Sequence, residues 1–236
     1  MKIGFILYDY YPFGGLQEDC LQTALETHAL GHEVHLFTRT WKGPKPEELK
    51  VHLLGKKGWS NTSRNKHFFS TLQVELPNYH LDSIVAFNRI PNADIYFAAD
   101  PCFKERKSHL AWWQKLSPRY RYYSQLEATV FKDANKPETL VLTEHEIDSF
   151  HKHYNVPKER FHLLPPGVAR NTCTPEELDR HRHELRKELG TNDDAKVALF
   201  VGSGFRIKGL DRALRAIDAN KTKAGNFEFW VVGNGK

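Results

Sequence analysis

The sequence contains no apolar run near the roughly 20 residues that a helix needs to cross a bilayer. That excludes a helical membrane span within these 236 residues. The opening Met1-Lys2-Ile3-Gly4-Phe5-Ile6-Leu7-Tyr8-Asp9 is too short an apolar run for a signal peptide, and Asp9 interrupts it. Only three cysteines are present, Cys20, Cys102 and Cys173, far apart and odd in number. Without an export signal, so sparse a set points to a reducing cytoplasm. There is no HExxH and no CxxC, and His151/His153 and His181/His183 are each two residues apart. On a helix that spacing sends the two rings to different faces, so no metal site is expected. The sequence also lacks a GxSxG elbow, a GxGxxG fingerprint and a GxxxxGK[ST] loop. A serine nucleophile of that type, a dinucleotide and a P-loop nucleotide are thereby disfavoured. No tandem repeat or low-complexity tract occurs.

What remains is an ordinary globular mix, 40% hydrophobic and 27% charged. The length suits one large domain or two small ones. Lys and Arg exceed Asp and Glu by 34 − 29 = 5, which permits an anionic partner without naming it. Strand-like and helix-like stretches alternate, which predicts an α/β fold with parallel sheets. Residues 3–8 are apolar on both faces, as in a buried parallel strand. Leu16, Cys20, Leu21, Ala24, Leu25 and His28 recur at helical spacing, and Gly31 suits a helix stop. Further strands are expected at 33–38, 51–54, 83–87, 95–99, 140–143 and 161–164. A polar stretch, 59–66, precedes a helix; 104–133 is mostly helical but broken at Pro118; 144–154 is a short amphipathic helix. Pro165-Pro166-Gly167 is the candidate hinge. Beyond it, Thr174-Pro175-Glu176-Glu177 opens a helix that Gly190 ends. Strands at 197–201 and 227–232 flank a helix at 210–218. Two strands in roughly 65 residues make a poor core, so the sequence is expected to stop inside a second domain.

Four constellations carry possible chemistry. Phe13-Gly14-Gly15 lies between a strand and a helix, where backbone can approach a sugar or phosphate. Taken alone, a plain tight turn, with Glu18 and Asp19 complementing the helix dipole, is the favoured reading. Gly202-Ser203-Gly204-Phe205-Arg206-Ile207-Lys208-Gly209 follows another strand. Arg206 and Lys208 at a helix start oppose the dipole unless an anion sits there, which favours a diphosphate. Asn88 and Asp100 each follow a short apolar strand, where α/β sheets bind ligands; Asp100 is otherwise a turn residue. Lys104, Arg106, Lys107, Lys115, Arg119 and Arg121 interleave with Leu110, Trp112, Trp113, Leu116, Tyr120, Tyr122 and Tyr123. That mixture suits an anionic membrane surface. It suits single-stranded nucleic acid less well, and core-packed helices with basic outer faces remain open.

Taken together, these pieces resemble the retaining GT-B glycosyltransferases of family four. The carriers are Phe13-Gly14-Gly15, Gly31-His32-Glu33-Val34, Leu164-Pro165-Pro166-Gly167-Val168 and the loop from Val201 to Gly209. Longer stretches resemble the lipopolysaccharide-core glucosyltransferases within that family. They include Tyr11-Pro12-Phe13-Gly14-Gly15-Leu16-Gln17, Tyr96-Phe97-Ala98-Ala99-Asp100, Ser117-Pro118-Arg119-Tyr120-Arg121 and Lys152-His153-Tyr154. The resemblance implies a Rossmann-like acceptor-side domain over 1–166 and the start of a nucleotide-sugar-binding domain over 167–236. It implies transfer of glucose from UDP-glucose to an inner-core heptose of lipopolysaccharide, with retention and without a bound metal. Carried over by position, Gly14, Gly15 and Asp19 lie on the acceptor side of the donor sugar, Asp100 near the reacting centre, and Ser203 and Lys208 on the diphosphate loop. The basic aromatic segment is implied to rest on the cytoplasmic face of the inner membrane, with no nucleic-acid partner. Two departures stand out. Ile207 replaces the arginine that the family carries before its loop lysine, and the family's Glu-seven-residues-Glu motif has no counterpart here. The alternative to an enzyme is an inactive fragment that keeps acceptor or membrane contacts.

Overall fold

Strand β1 (Lys2–Tyr10) sends Phe5 and Leu7 to one face and Ile6 to the other, and all three are buried. A strand with apolar side chains on both faces needs helices on both faces, and that requirement organises the rest. In this computed structural model, residues 1–12, 14–133, 137–165, 167, 173–220, 225–233 and 235 are described. Phe13 of the glycine turn and Pro166 of the expected hinge lie outside them. The chain divides into two units, Met1–Gly167 and Val168–Lys236.

In the first unit, seven parallel strands follow the order β3-β2-β1-β4-β5-β6-β7. They are β1, β2 (Glu33–Trp41), β3 (Lys50–Leu53), β4 (Ser83–Ala86), β5 (Ile95–Ala98), β6 (Glu138–Val141) and β7 (Phe161–Leu163). Register is tight at the centre, where Ile3 faces Val34 on one side and Ser83 on the other. Helix α1 (Gly15–Ala29) packs Cys20 and Ala24 against Phe5, Leu7 and Leu36. On the opposite face, α2 (Asn61–Glu75) sets Phe68 and Leu72 against Ile6 and Phe37.

Three differences from expectation have local causes. Strand β1 runs on to Tyr10, whose ring stacks on Trp41 with centroids 3.8 Å apart. Helix α2 starts inside the polar stretch, at Asn61, because Ser60 and Ser63 form a reciprocal capping box. The segment read as helical from 104 to Pro118 is two single turns, α3 (Phe103–Arg106) and α4 (Trp112–Lys115). Pro118 then opens a separate helix, α5 (Pro118–Val130), where its missing N–H costs nothing.

A buried carboxylate fastens these pieces. Glu127, on α5, is fully inaccessible. It accepts from Arg89 Nε at 2.9 Å, from the Phe103 amide at 2.8 and 2.9 Å, and from the Tyr154 hydroxyl at 2.6 Å. Tyr154 ends helix α6 (Glu144–Tyr154), and Arg89 lies just beyond β4. Arg89 also donates to the Pro101 carbonyl at 3.1 Å. Burial and the Glu127 charge push the Cys102 thiol up to about 12, so it stays a neutral thiol.

In the second unit, α7 (Pro175–Leu189) has the expected cap, Thr174, which forms a reciprocal capping box with Glu177, and ends at Gly190 with φ 69°. Strands β8 (Lys196–Val201) and β9 (Phe227–Val232) pair in parallel. A short helix, α8 (Phe205–Lys208), precedes α9 (Leu210–Ala219) where only the latter is expected.

The Arg89–Glu127 pair should behave as a coupled unit. In urea unfolding, Arg89→Met and Glu127→Met should each cost roughly 3–5 kcal/mol, because each strands a buried charge. The double variant should lose at least about 1.5 kcal/mol less than the sum. Simple additivity would show that the pair does not carry this part of the fold.

Candidate functional site

In an open parallel sheet, ligands bind beyond the carboxyl ends of the strands, where the strand order reverses. Here the order reverses between β1 and β4. A cleft of about 290 Å³ opens at that point, lined by Tyr8 and Asp9 from β1, Asn88 and Arg89 after β4, and Asp100 after β5. Asn61 and Asn65 from α2 and Tyr123 from α5 close its sides. A larger cavity of about 450 Å³ lies beneath α2, but its lining is mostly apolar, from Ile6, Phe69, Leu72 and their neighbours, and it holds no carboxylate.

The floor of the cleft is a charged cluster. Arg39, buried on β2, pairs with Asp9 and donates to the Tyr8 carbonyl at 3.1 Å and to Asn65 Oδ1 at 2.9 Å. Its guanidinium lies 4.5 Å from the centre of the Tyr8 ring. Asp9 also accepts from Thr40 Oγ1 at 2.8 Å and from Lys56 Nζ at 3.2 Å. Burial works to raise the Asp9 carboxyl, but the hydrogen bonds from Thr40 and Arg39 outweigh it and hold the group below the usual carboxylate range.

The two residues expected after the short strands do meet here. Asn88 Oδ1 accepts from the Tyr8 amide at 2.7 Å and ties the end of β4 to β1. The Asp100 side chain is 66% exposed and accepts from Arg89 Nη1 at 3.3 Å, leaving it open towards solvent. Arg89 thus joins an exposed carboxylate, Asp100, to a buried one, Glu127.

The glycine turn divides in two. A Cβ on Gly14 would collide with the Gln17 side chain and come within 2.8 Å of the Tyr11 ring, so packing alone explains that glycine. A Cβ on Gly15 would meet nothing within 4 Å among the described residues. Gln17 is buried and donates to the Asp9 carbonyl at 3.1 Å, which anchors α1 to the cleft. Asp19 is exposed on α1 and does not line the cleft. Partial desolvation, then the Glu18 charge, pushes its carboxyl up.

In the second unit, Ser203, Arg206 and Lys208 are exposed around the loop after β8. Gly204 and Gly209 bracket α8 with φ of 68° and 81°. The expected dipole conflict is smaller than the sequence implies. Arg206 and Lys208 belong to α8, a single turn that places them near its C-terminus, where cations are tolerated. Lys208 still stands immediately before the Gly209 cap of α9.

The basic aromatic segment is partly packed and partly bare. Leu126, Glu127 and Val130 face inward from α5. Trp112 and Trp113 on α4 are 72% and 62% exposed, and Leu116 beside them is exposed as well. Arg106, Arg119 and Arg121 are exposed, and Lys107 is half-buried. Lys104 lies 4.5 Å from the Tyr154 ring centre and Lys115 donates to the Ser108 carbonyl, so both are held against the protein. No described helix is long and apolar enough to cross a membrane, and no described group of three or more His, Cys, Asp or Glu is placed to hold a metal ion.

Asp9, Arg39, Asn65 and Glu127 carry no motif and are missed by sequence reasoning. One signal was available: Asp9 closes the apolar run at 3–8 in the first strand.

With this geometry in hand, comparison with known proteins becomes specific. Residues 13–171 match the model of Glycosyltransferase Family 4. The whole chain is 34% identical to the lipopolysaccharide glucosyltransferase WaaG of Escherichia coli K12, and spans 64% of that protein's length. A crystal structure of WaaG, a glycosyltransferase involved in lipopolysaccharide biosynthesis, superposes with a TM-score of 0.90 at 33% identity, covering 99% of this chain and 64% of that one. The apo lipopolysaccharide outer-core galactosyltransferase WaaB, 14% identical with a TM-score of 0.55 over 100% of this chain and 62% of its own, shares the fold alone.

The Asp9 cluster predicts an acid limb in stability. A carboxyl held below its unfolded value stabilises the fold above about pH 4, and that contribution is lost as pH falls through the lower folded value. Urea unfolding followed from pH 6 to pH 2.5 should show a shallower loss in Asp9→Asn than in the parent. Identical slopes would mean that Asp9 is not held by Arg39 and Thr40.

Proposed function

The chain belongs to Glycosyltransferase Family 4, and from that premise we propose that it serves retaining transfer of a hexose from a UDP-sugar, glucose in the first instance, to an inner-core heptose of lipopolysaccharide. The observation that carries this is the match to WaaG along the whole chain, in sequence and in fold together. The fold is α/β of the GT-B type, as expected from the sequence.

Within that reading the chemistry divides between the two units. The first presents a polar cleft whose one exposed carboxylate, Asp100, is aimed by Arg89. A carboxylate there stabilises positive charge developing at the anomeric carbon and orients sugar hydroxyls. The open space at Gly15 gives a sugar room to approach the backbone. Asn88, whose Oδ1 accepts from the Tyr8 amide, offers its side-chain amide hydrogens to the ligand. In the second unit, Lys208 and Arg206 supply cations, and Ser203 a hydroxyl, to the diphosphate of the leaving group. Lys208 is the stronger candidate of the two cations, because it stands at the start of α9, where the helix dipole adds to its field. Asp19 is assigned a more distant electrostatic role on α1.

The exposed Trp112, Trp113 and Leu116, beside Arg106, Lys107, Arg119 and Arg121, form a surface suited to an anionic leaflet. Indoles sit at the headgroup level, and each basic residue near such a surface adds about 1 kcal/mol. On this reading the protein works peripherally, on the cytoplasmic face of the membrane that carries the growing lipid-linked acceptor.

Two measurements test the proposal. Titration calorimetry with UDP-glucose should detect binding, and Lys208→Ala should weaken it at least about tenfold, as befits a lost charge-assisted contact of roughly 1.5–3 kcal/mol. Unchanged affinity would remove Lys208 from the site. In flotation with anionic vesicles at low salt, the protein should rise with the lipid, and Trp112→Ser/Trp113→Ser should not; equal flotation of both would dismiss the α4 surface.

A further inference from the structure

Trp59 is fully exposed, yet the loop that bears it is firmly fixed. Residues 55–60 join β3 to α2. Gly55 and Gly58 have φ of 79° and 128°, values that side chains rarely adopt. A Cβ on Gly58 would also come within 2.8 Å of the Arg64 amide nitrogen, so the loop lies directly on the first turn of α2. Arg64 Nε donates to the Gly58 carbonyl at 3.0 Å, and Ser60 caps the helix. At its other end the loop reaches the cleft through Lys56 Nζ, 3.2 Å from Asp9. Asn61, two residues past Trp59, lines the cleft itself. Lys57 is exposed and pairs with no carboxylate among the described residues.

A single exposed apolar residue needs no explanation. This one has unusual company: a bare indole face, two ammonium groups and the mouth of a polar cleft, all on one glycine-hinged loop. An indole face is electron-rich and apolar, and it receives the C–H face of a pyranose ring while leaving the hydroxyls at its edge free. The ammonium groups call for negative charge, and the Lys56–Asp9 pair is solvent-exposed enough to exchange partners at little cost.

We infer that loop 55–60 recognises the acceptor: Trp59 stacks on a saccharide ring while Lys56 and Lys57 pair with an anionic substituent on it, a phosphate or a carboxylate. The inference rests on the hexosyl-transfer reading and specifies the class of its acceptor as an acidic saccharide. A lipid surface is the weaker occupant, because Arg64 and the Ser60 cap hold the loop on the first turn of α2, whose Asn61 lines the cleft.

Protein labelled with 5-fluorotryptophan tests this, the Trp59 fluorine signal being identified by its loss in Trp59→Phe. The probes are UDP-glucose and a deacylated, phosphorylated core oligosaccharide, the latter also after phosphatase treatment or carboxyl reduction. The Trp59 signal should shift saturably with the oligosaccharide. Trp59→Ala should weaken its binding roughly five- to tenfold, in keeping with one lost aromatic contact. Lys56→Ala/Lys57→Ala should weaken it by a similar factor and flatten its salt dependence. UDP-glucose affinity should not change in Trp59→Ala. Loss of affinity after phosphatase treatment identifies phosphate as the anion, and loss after carboxyl reduction identifies carboxylate; indifference to both overturns the inference. Binding of UDP-glucose while the oligosaccharide leaves the Trp59 signal unmoved overturns it and leaves hexosyl transfer standing. Failure of both probes to bind overturns hexosyl transfer and the inference with it. Loss of vesicle flotation in Trp59→Ala would assign the loop to the bilayer instead and overturn it.

Discussion

The N-terminal unit depends on one buried charge pair. Glu127 has no access to water, so its carboxylate must be satisfied from within, and Arg89, the Phe103 amide and the Tyr154 hydroxyl satisfy it. Each partner comes from a different stretch of chain: the turn after β4, the start of α3, the end of α6. Desolvating a carboxylate is costly enough that these stretches are held in one arrangement. The cleft inherits that rigidity. Arg89 spends its Nε on Glu127 and its Nη2 on the Pro101 carbonyl, which leaves Nη1 to hold Asp100 at the cleft mouth. The position of the exposed carboxylate is thus set by a buried one.

How much of this was legible in the sequence follows from how local each interaction is. Parallel strands that bury both faces carry their own signature, and β1, β2 and β8 fall where the apolar runs lie. The cap of α7 is a Thr-x-x-Glu box with proline at the first turn, readable without any tertiary knowledge. The start of α2 was hidden because its box is built from two serines, in a stretch whose composition reads as loop. Turns α3 and α4 are too short for a helical period to register. Glu127 was illegible for a different reason: its partners lie 24, 27 and 38 residues away, and nothing beside it marks it as buried.

The candidate site shows the same division. Asn88 and Asp100 could be picked out because parallel sheets bind ligands beyond their strand ends, and both residues follow strands. Asp9 meets the same criterion near the end of β1, but in the sequence it reads only as the residue that closes an apolar run. Arg39 needed the fold to reveal it, since a buried guanidinium makes sense only once Asp9, Asn65 and the Tyr8 carbonyl surround it. The two glycines of the turn, inseparable in sequence, have different reasons to exist: Gly14 answers to Gln17 and Tyr11, and Gly15 to nothing described in the protein.

The strand order also bears on how the chain reaches this state during synthesis. β1 is made before both strands that flank it, and the second of them, β4, pairs Ser83 with Ile3 across 80 residues. At roughly 5–20 residues per second, about 4–16 s separate the emergence of the two partners. Through that interval β1 can pair with β2 on one edge alone, and the edge that β4 will take stays open. A nascent chain of this topology therefore carries an unpaired edge on an apolar strand for seconds, which makes it a natural client for chaperones that act during translation.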